Sequence, residues 1–158
     1  MKNLLLSYTC TIEAPIQEVC SFHTNTQNLP LITPPWIDVT IVSMDVPMHE
    51  NSQVELRIKR FGVPTLWKMK IDKLDCPHEV VDEMISGPFK HFRHERKFIS
   101  LSDTVTQMDE TITLVLPFGF LGRFFFTFIQ KDMNKMFAYR HHATKEYFKN
   151  KKDVMFIA

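Results

Sequence analysis

Between a turn signal and a run of large ionisable side chains, the sequence reads Gly87-Pro88-Phe89-Lys90-His91-Phe92-Arg93-His94-Glu95-Arg96-Lys97-Phe98. Strand alternation puts Phe92, His94, Arg96 and Phe98 on one face and Arg93, Glu95 and Lys97 on the other. The second set suits solvent. The first mixes two rings with an imidazole and a guanidinium, a combination expected on the wall of a cavity with a polar spot. There His94 or Arg96 would bind a carboxylate, hydroxyl or carbonyl on an otherwise apolar guest.

A second run supplies an acid for those bases. From about residue 104, the residues Thr106, Met108, Glu110, Ile112, Leu114 and Leu116 share one face, and Glu110 is the intruder on it. A hairpin centred near Ser102-Asp103 sets opposite one another residues whose numbers sum to about 204 to 206. That brings His94 and Arg96 close to Glu110 and Met108. Three outcomes are open: a self-neutralised network, a device that orients a guest, or an acid/base pair in which Glu110 tunes His94 to move a proton.

Other chemistries lack their residues. His91 and His94 point to opposite strand faces, and His141 and His142 lie about 100° apart on a helix with no acid or cysteine at ligand spacing, so no metal site is expected. Neither a glycine-rich phosphate loop nor a serine or cysteine nucleophile motif occurs, and no cofactor is expected.

The elements that hold these groups follow from periodicity. Residues 3–13 read as a strand, Pro15 opens a short helix to about Phe22, and a second short helix at about 25–31 ends before Thr33-Pro34-Pro35-Trp36. Strands are expected at about 38–44, 53–61, 65–75, 79–86, 90–101 and 104–116, with turns at Gly62-Val63-Pro64, Cys76-Pro77, Gly87-Pro88 and Ser102-Asp103. Such short turns make an antiparallel meander. Leu121, Phe125, Phe128, Ile129, Met133, Met136, Ala143 and Tyr147 then follow a helical stripe over almost thirty residues. Arg140, at the stripe's edge, is expected to bridge to an inward acid. A bent sheet of about seven strands around that helix would leave a cavity between them.

Composition bounds the rest. With 158 residues, 44% hydrophobic and 23% charged, the chain is expected to be one domain spanning 1–158. A net charge of +1 argues against nucleic-acid binding. Residues 131–153 hold seven Lys and Arg against three acids, a solvated helix face. No apolar run approaches the ~20 residues of a membrane span. Cys10, Cys20 and Cys76 are scattered, which points to unpaired thiols and a reducing cytoplasm.

Several motifs in order carry a family resemblance: Leu31-Ile32-Thr33-Pro34-Pro35-Trp36, Gly62-Val63-Pro64 with Trp67, Asp82 followed by Gly87-Pro88-Phe89, His94, Leu116-Pro117-Phe118-Gly119 with Leu121-Gly122, and Phe137-Ala138-Tyr139-Arg140. Over nearly its whole length the chain resembles the START-like helix-grip (SRPBCC) superfamily, and within it the bacterial cyclase/dehydrase or ligand-binding proteins. The resemblance implies an α+β helix-grip fold and an inward Asp82. Where that group carries Gln, Trp, a second His, Asp and Tyr, this chain has Met84, Phe92, Arg96, Glu110 and Leu114, implying a more apolar pocket.

The expected function is therefore binding of a small hydrophobic or amphipathic molecule. Candidate binding residues are Trp36, Trp67, Asp82, Met84, Phe92, His94, Arg96, Phe98, Met108, Glu110, Leu114 and Phe125. Trp36 and Trp67 are expected in the core, with the cavity mouth as the rival place for Trp36. The alternatives are a polyketide-type cyclase or dehydratase using His94 and Glu110, and an interaction module. The latter would dock on a membrane surface, a protein or a second copy through Phe118–Phe128, whose apolar start should be buried on more than one side.

Overall fold

The computed structural model describes residues 3–117 and 122–157. The strands are β1 (Asn3–Ile12), β2 (Ile37–Met44), β3 (Gln53–Arg60), β4 (Val63–Asp75), β5 (Glu79–Ser86), β6 (His91–Ser102) and β7 (Val105–Val115). Between β1 and β2 lie α1 (Ile16–Thr24) and a 3-10 segment, Thr26–Ile32. The chain then runs into α2, Gly122–Ile157, whose 36 residues exceed the length read from the apolar stripe. Its added last turns expose Val154, Met155 and Phe156, so no core face marked them in the sequence.

All seven strands form one antiparallel sheet in the order β1-β7-β6-β5-β4-β3-β2. Each step of the meander is a hairpin, and only β1 returns from the start of the chain to pair with β7. This is the α+β helix-grip arrangement: α1 and the 3-10 segment bridge the two sheet edges, and α2 lies across the concave face, packing on β1 and the 3-10 segment. No described helix is long and apolar enough to cross a membrane.

Strand parity holds where it matters. Phe92, His94, Arg96 and Phe98 are buried while their β6 neighbours are not, and β7 buries Thr106, Met108, Glu110, Ile112 and Leu114 in strict alternation. The β6–β7 register pairs His94 with Ile112, Arg96 with Glu110 and Phe98 with Met108.

The β3–β4 turn departs from the sequence reading. The β3–β4 connection is a two-residue loop of Phe61 and Gly62, with φ of 52° and 76°, and Val63 and Pro64 already belong to β4. Two successive positive φ values match the right-handed twist of the flanking strands, and Gly62 adopts its value freely whereas Phe61 does so at a cost. At β5–β6, Gly87 comes so close to Met84 that a Cβ there would lie 2.5 Å from its Sδ.

The cysteines also differ. Cys20 of α1 and Cys76 in the β4–β5 turn form a disulfide across 56 residues, and Cys10 is buried and free. Sequence spacing says nothing about which distant turns converge. The argument from scattered thiols to a reducing cytoplasm therefore loses its premise.

Two apolar clusters fill the interior. One joins Cys10, Ile12, Val19, Phe22, Val80, Phe98, Met108 and Phe148 beneath α1 and the far end of α2. The other joins Leu4, Leu6, Phe92, Ile112, Leu114, Met133 and Phe137, with Trp67, Met84 and Phe89 packed against it.

Candidate functional site

The two clusters leave a cavity of about 430 Å³ between the sheet and α2. Val54, Leu56, Trp67, Ile71 and Phe92 line it from the strands, and Met133, Met136 and Phe137 from the helix. Trp67 meets Phe89 and Phe92 edge-on at 5.5 and 5.4 Å, with its indole N–H donating to Thr65 Oγ1. Such rings give a stiff apolar wall.

One side is open. Phe61, Val63, Phe125 and Phe128 line the cavity and are each about half exposed or more. Phe61 at the β3–β4 tip faces Phe128 of α2 with ring centroids 5.4 Å apart, so the strained turn holds one ring of an aromatic rim. Arg60 and Asp132, also in the lining, form an ion pair joining β3 to α2. The expectation that the Phe118–Phe128 run is buried on several sides fails at Phe125 and Phe128, because the cavity lies where a covering element would be. Residues 118–121 lie outside the described residues.

Further ionisable groups in the lining are His23, Asp82, His94, Arg96 and Arg140. Arg96 pairs through Nη2 with Asp82 and donates through Nη1 to the His23 carbonyl oxygen at 2.9 Å. Its Nε is buried and has no partner among the described residues. Asp82 faces His94 in the register, so the Arg96 contact is a diagonal cross-strand pair, within reach of a long side chain.

His94 makes the second diagonal contact. Its Nε2 is 2.6 Å from Glu110 Oε2, and His141 Nε2 is 2.7 Å from Glu110 Oε1. Glu110 is 2% exposed. Burial by itself would raise its carboxyl, but the hydrogen bonds from His141 and His94 hold it well below the usual range. An ionised carboxylate only accepts, so both histidines donate to it from Nε2. Burial lowers the His94 pKa and outweighs the opposing Glu110 interaction. His94 is thus a neutral ring whose Nδ1 is left as an acceptor, with no protein partner among the described residues.

Burial likewise pushes His23 down to about 3, and neither of its ring nitrogens has a partner among the described residues. Tyr8 stacks on Phe137 at 4.4 Å and donates to Asn134 Oδ1 at 2.8 Å.

Of the candidate binding residues, Trp67, Asp82, Phe92, His94, Arg96 and Phe125 line the cavity. Phe98 and Met108 lie in the core beneath α1, and Met84 and Leu114 in the other apolar cluster. Glu110 stands behind His94, bonded to it but outside the lining. Parity gives the face of a strand, not whether helix or cavity lies over it. Trp36 is outside the core and the lining, 38% exposed, its ring beside Tyr139 and under the Lys135 ammonium.

Two helix residues correct the sequence reading. His141, judged to have no nearby acid, bonds Glu110. Arg140 makes no ion pair among the described residues and lies instead over Phe137, 5.4 Å from the ring centroid. The signal was available in the spacing of Met133, Met136, Phe137, Arg140 and His141, which follows one helical face. His23, on a short helix, offered no such pattern.

The family model described as polyketide cyclase / dehydrase and lipid transport matches residues 12–138. No curated protein matches the chain. Solved structures similar to it include the Zhui aromatase/cyclase from Streptomyces sp. R1128, 16% identical, covering 95% of this chain and 96% of that one with a TM-score of 0.77. The protein TTHA0849 from Thermus thermophilus is 14% identical over 94% of this chain and 99% of its own, TM-score 0.76. A START superfamily protein from Mycobacterium smegmatis is 12% identical over 92% and 97%, TM-score 0.71. Identities this low establish the shared fold and leave the ligand to the residues themselves.

Proposed function

We propose, for a chain that belongs to the polyketide cyclase / dehydrase and lipid transport family, that it binds a small hydrophobic or amphipathic molecule in the cavity between the sheet and α2. The observation that carries this reading is the cavity itself. Its volume of about 430 Å³ falls within the usual range for ligand sites, its walls are mainly apolar, and a few polar groups converge in it. Trp67, Phe92 and Phe125 would contact the apolar body of the guest, while Asp82, His94 and Arg96 orient its polar part.

The test is mass spectrometry of the natively purified protein, together with titration of the neutral probe N-phenyl-1-naphthylamine. A retained apolar molecule, or saturable probe binding that quenches Trp67 emission, is the expected result. An empty protein that leaves the probe in solution would defeat the reading.

A second reading rests on the His94–Glu110–His141 network. A neutral imidazole at the cavity wall, backed by a carboxylate, is equipped to accept a proton from a bound substrate. Glu110 would stabilise the imidazolium so formed, and a cyclase or dehydratase acting on a polyketide-like chain needs such a base.

A further inference from the structure

The charged groups of the cavity lining do not all find a contact partner. Three guanidiniums, Arg60, Arg96 and Arg140, contribute to the lining against two carboxylates, Asp82 and Asp132. Both carboxylates are taken, Asp82 by Arg96 and Asp132 by Arg60. Glu110, the acid behind the wall, has one oxygen on His94 and the other on His141. Arg140 is left with no ion pair and no side-chain hydrogen bond among the described residues, its guanidinium resting on the Phe137 ring. A guanidinium keeps its charge and presents five N–H donors in a planar fork that matches a carboxylate. Arg140 lines the cavity, so its N–H groups are available to a ligand that brings the acceptor.

We infer that the guest is an amphipathic carboxylic acid whose carboxylate is held by Arg140, with its apolar body along Trp67, Phe92, Met133 and Met136. The inference rests on the cavity-binding reading above and narrows its ligand class. Two neighbours support it. Arg96 brings a second guanidinium whose Nε has no partner among the described residues, and the unpartnered ring of His23 offers a neutral N–H. A cationic guest would instead place its charge against the two guanidiniums with both lining carboxylates already occupied.

The test compares matched ligands that differ only in the head group. Dodecanoic acid, dodecanol and dodecylamine, and separately 2-naphthoic acid and 2-naphthol, are titrated as competitors against bound N-phenyl-1-naphthylamine. Each acid that fits is expected to bind about tenfold to a hundredfold tighter than its alcohol, the range of one charge-assisted hydrogen bond. The amine should be weakest. The alkyl and aryl series decide whether the acid is fatty or aromatic.

Arg140→Met should abolish the acid's advantage over its alcohol, and Arg140→Lys should keep part of it. The wild-type comparison needs no variant and stands even if Arg140→Met fails to fold. Acid and alcohol binding equally well would overturn the carboxylate assignment and leave the cavity reading intact. Failure of the probe and of every competitor to bind would overturn both.

Discussion

Glu110 of β7 and His141 of α2 meet at 2.7 Å across the interface between sheet and helix, and the same carboxylate binds His94 of β6 through its other oxygen. One buried acid therefore ties three elements together, at the point where the cavity wall joins the core. Replacing it by Gln leaves an amide that accepts from one histidine and confronts the other with N–H groups. Glu110→Gln is expected to destabilise the fold by about 1–3 kcal/mol, read from urea unfolding. A change within error would show that the histidines find other acceptors.

Phe92 and Phe98 share one face of β6 yet have different surroundings. Phe92 lines the cavity and Phe98 is packed among Val80, Met108 and Phe148. Phe98→Ala should cost about 3–5 kcal/mol of stability, with binding unchanged in molecules that remain folded. Phe92→Ala should weaken probe affinity at least as much as it weakens the fold, because the guest loses a wall. Equal effects of the two substitutions on affinity would mean that the cavity is not where the probe binds.

His94→Gln separates binding from catalysis. A binder is expected to lose less than about tenfold in affinity, since an amide still forms hydrogen bonds and one neutral bond contributes about 1 kcal/mol. An enzyme using this ring as its base would lose about 10²–10⁴ in rate. Turnover that collapses in the variant while affinity survives would establish the cyclase or dehydratase reading.

Acid should unfold the protein from the histidines downward. Burial pushes the His23 pKa from 6.5 to about 3, with Arg96 and Arg140 adding to the shift and Glu110 opposing it. Between those values the unfolded ring carries a proton that the folded ring does not, so stability falls as pH falls, by about 1.4 kcal/mol per pH unit for each such proton. His94 is shifted in the same direction. The lowered Glu110 carboxyl adds stability above about pH 4.3, the unfolded Glu value, that is lost as pH drops through its folded value. Urea unfolding from about pH 7 to about pH 4 should show the slope, and His23→Phe should remove close to one proton's worth of it. A flat profile in the wild type would contradict the burial of these rings.

The Cys20–Cys76 link predicts a thiol count. Denatured without reductant, the protein should present Cys10 alone to iodoacetamide, and all three cysteines after reduction. Reduction should lower stability by about 2–4 kcal/mol, as expected for a crosslink that closes a loop of this length. Three reactive thiols in the unreduced sample would show the link to be absent.

What the sequence determined by itself is whatever depends on neighbouring residues. Alternation placed His94 and Arg96 inward on β6 and Glu110 inward on β7. The short turn, at Asp103 and Thr104 and so one residue beyond the Ser102-Asp103 expected, paired the strands within the expected register, because a one-residue slip would have turned every apolar side chain to water. Leu121 to Tyr147 likewise announced α2 by its stripe, although not the length of its exposed end.

Tertiary structure decided what lies above each inward residue. Phe98 and Met108 share faces with His94 and Glu110, but α1 and the end of α2 cover them, and only the convergence of those elements distinguishes core from cavity. The rotation of α2 brought His141 to Glu110 and left Arg140 without an acid among the described residues. The folding of α1 onto the β4–β5 turn brought together two cysteines 56 residues apart. Local periodicity carries which way a side chain points; the distance between remote segments is set by how the whole sheet bends around its helix.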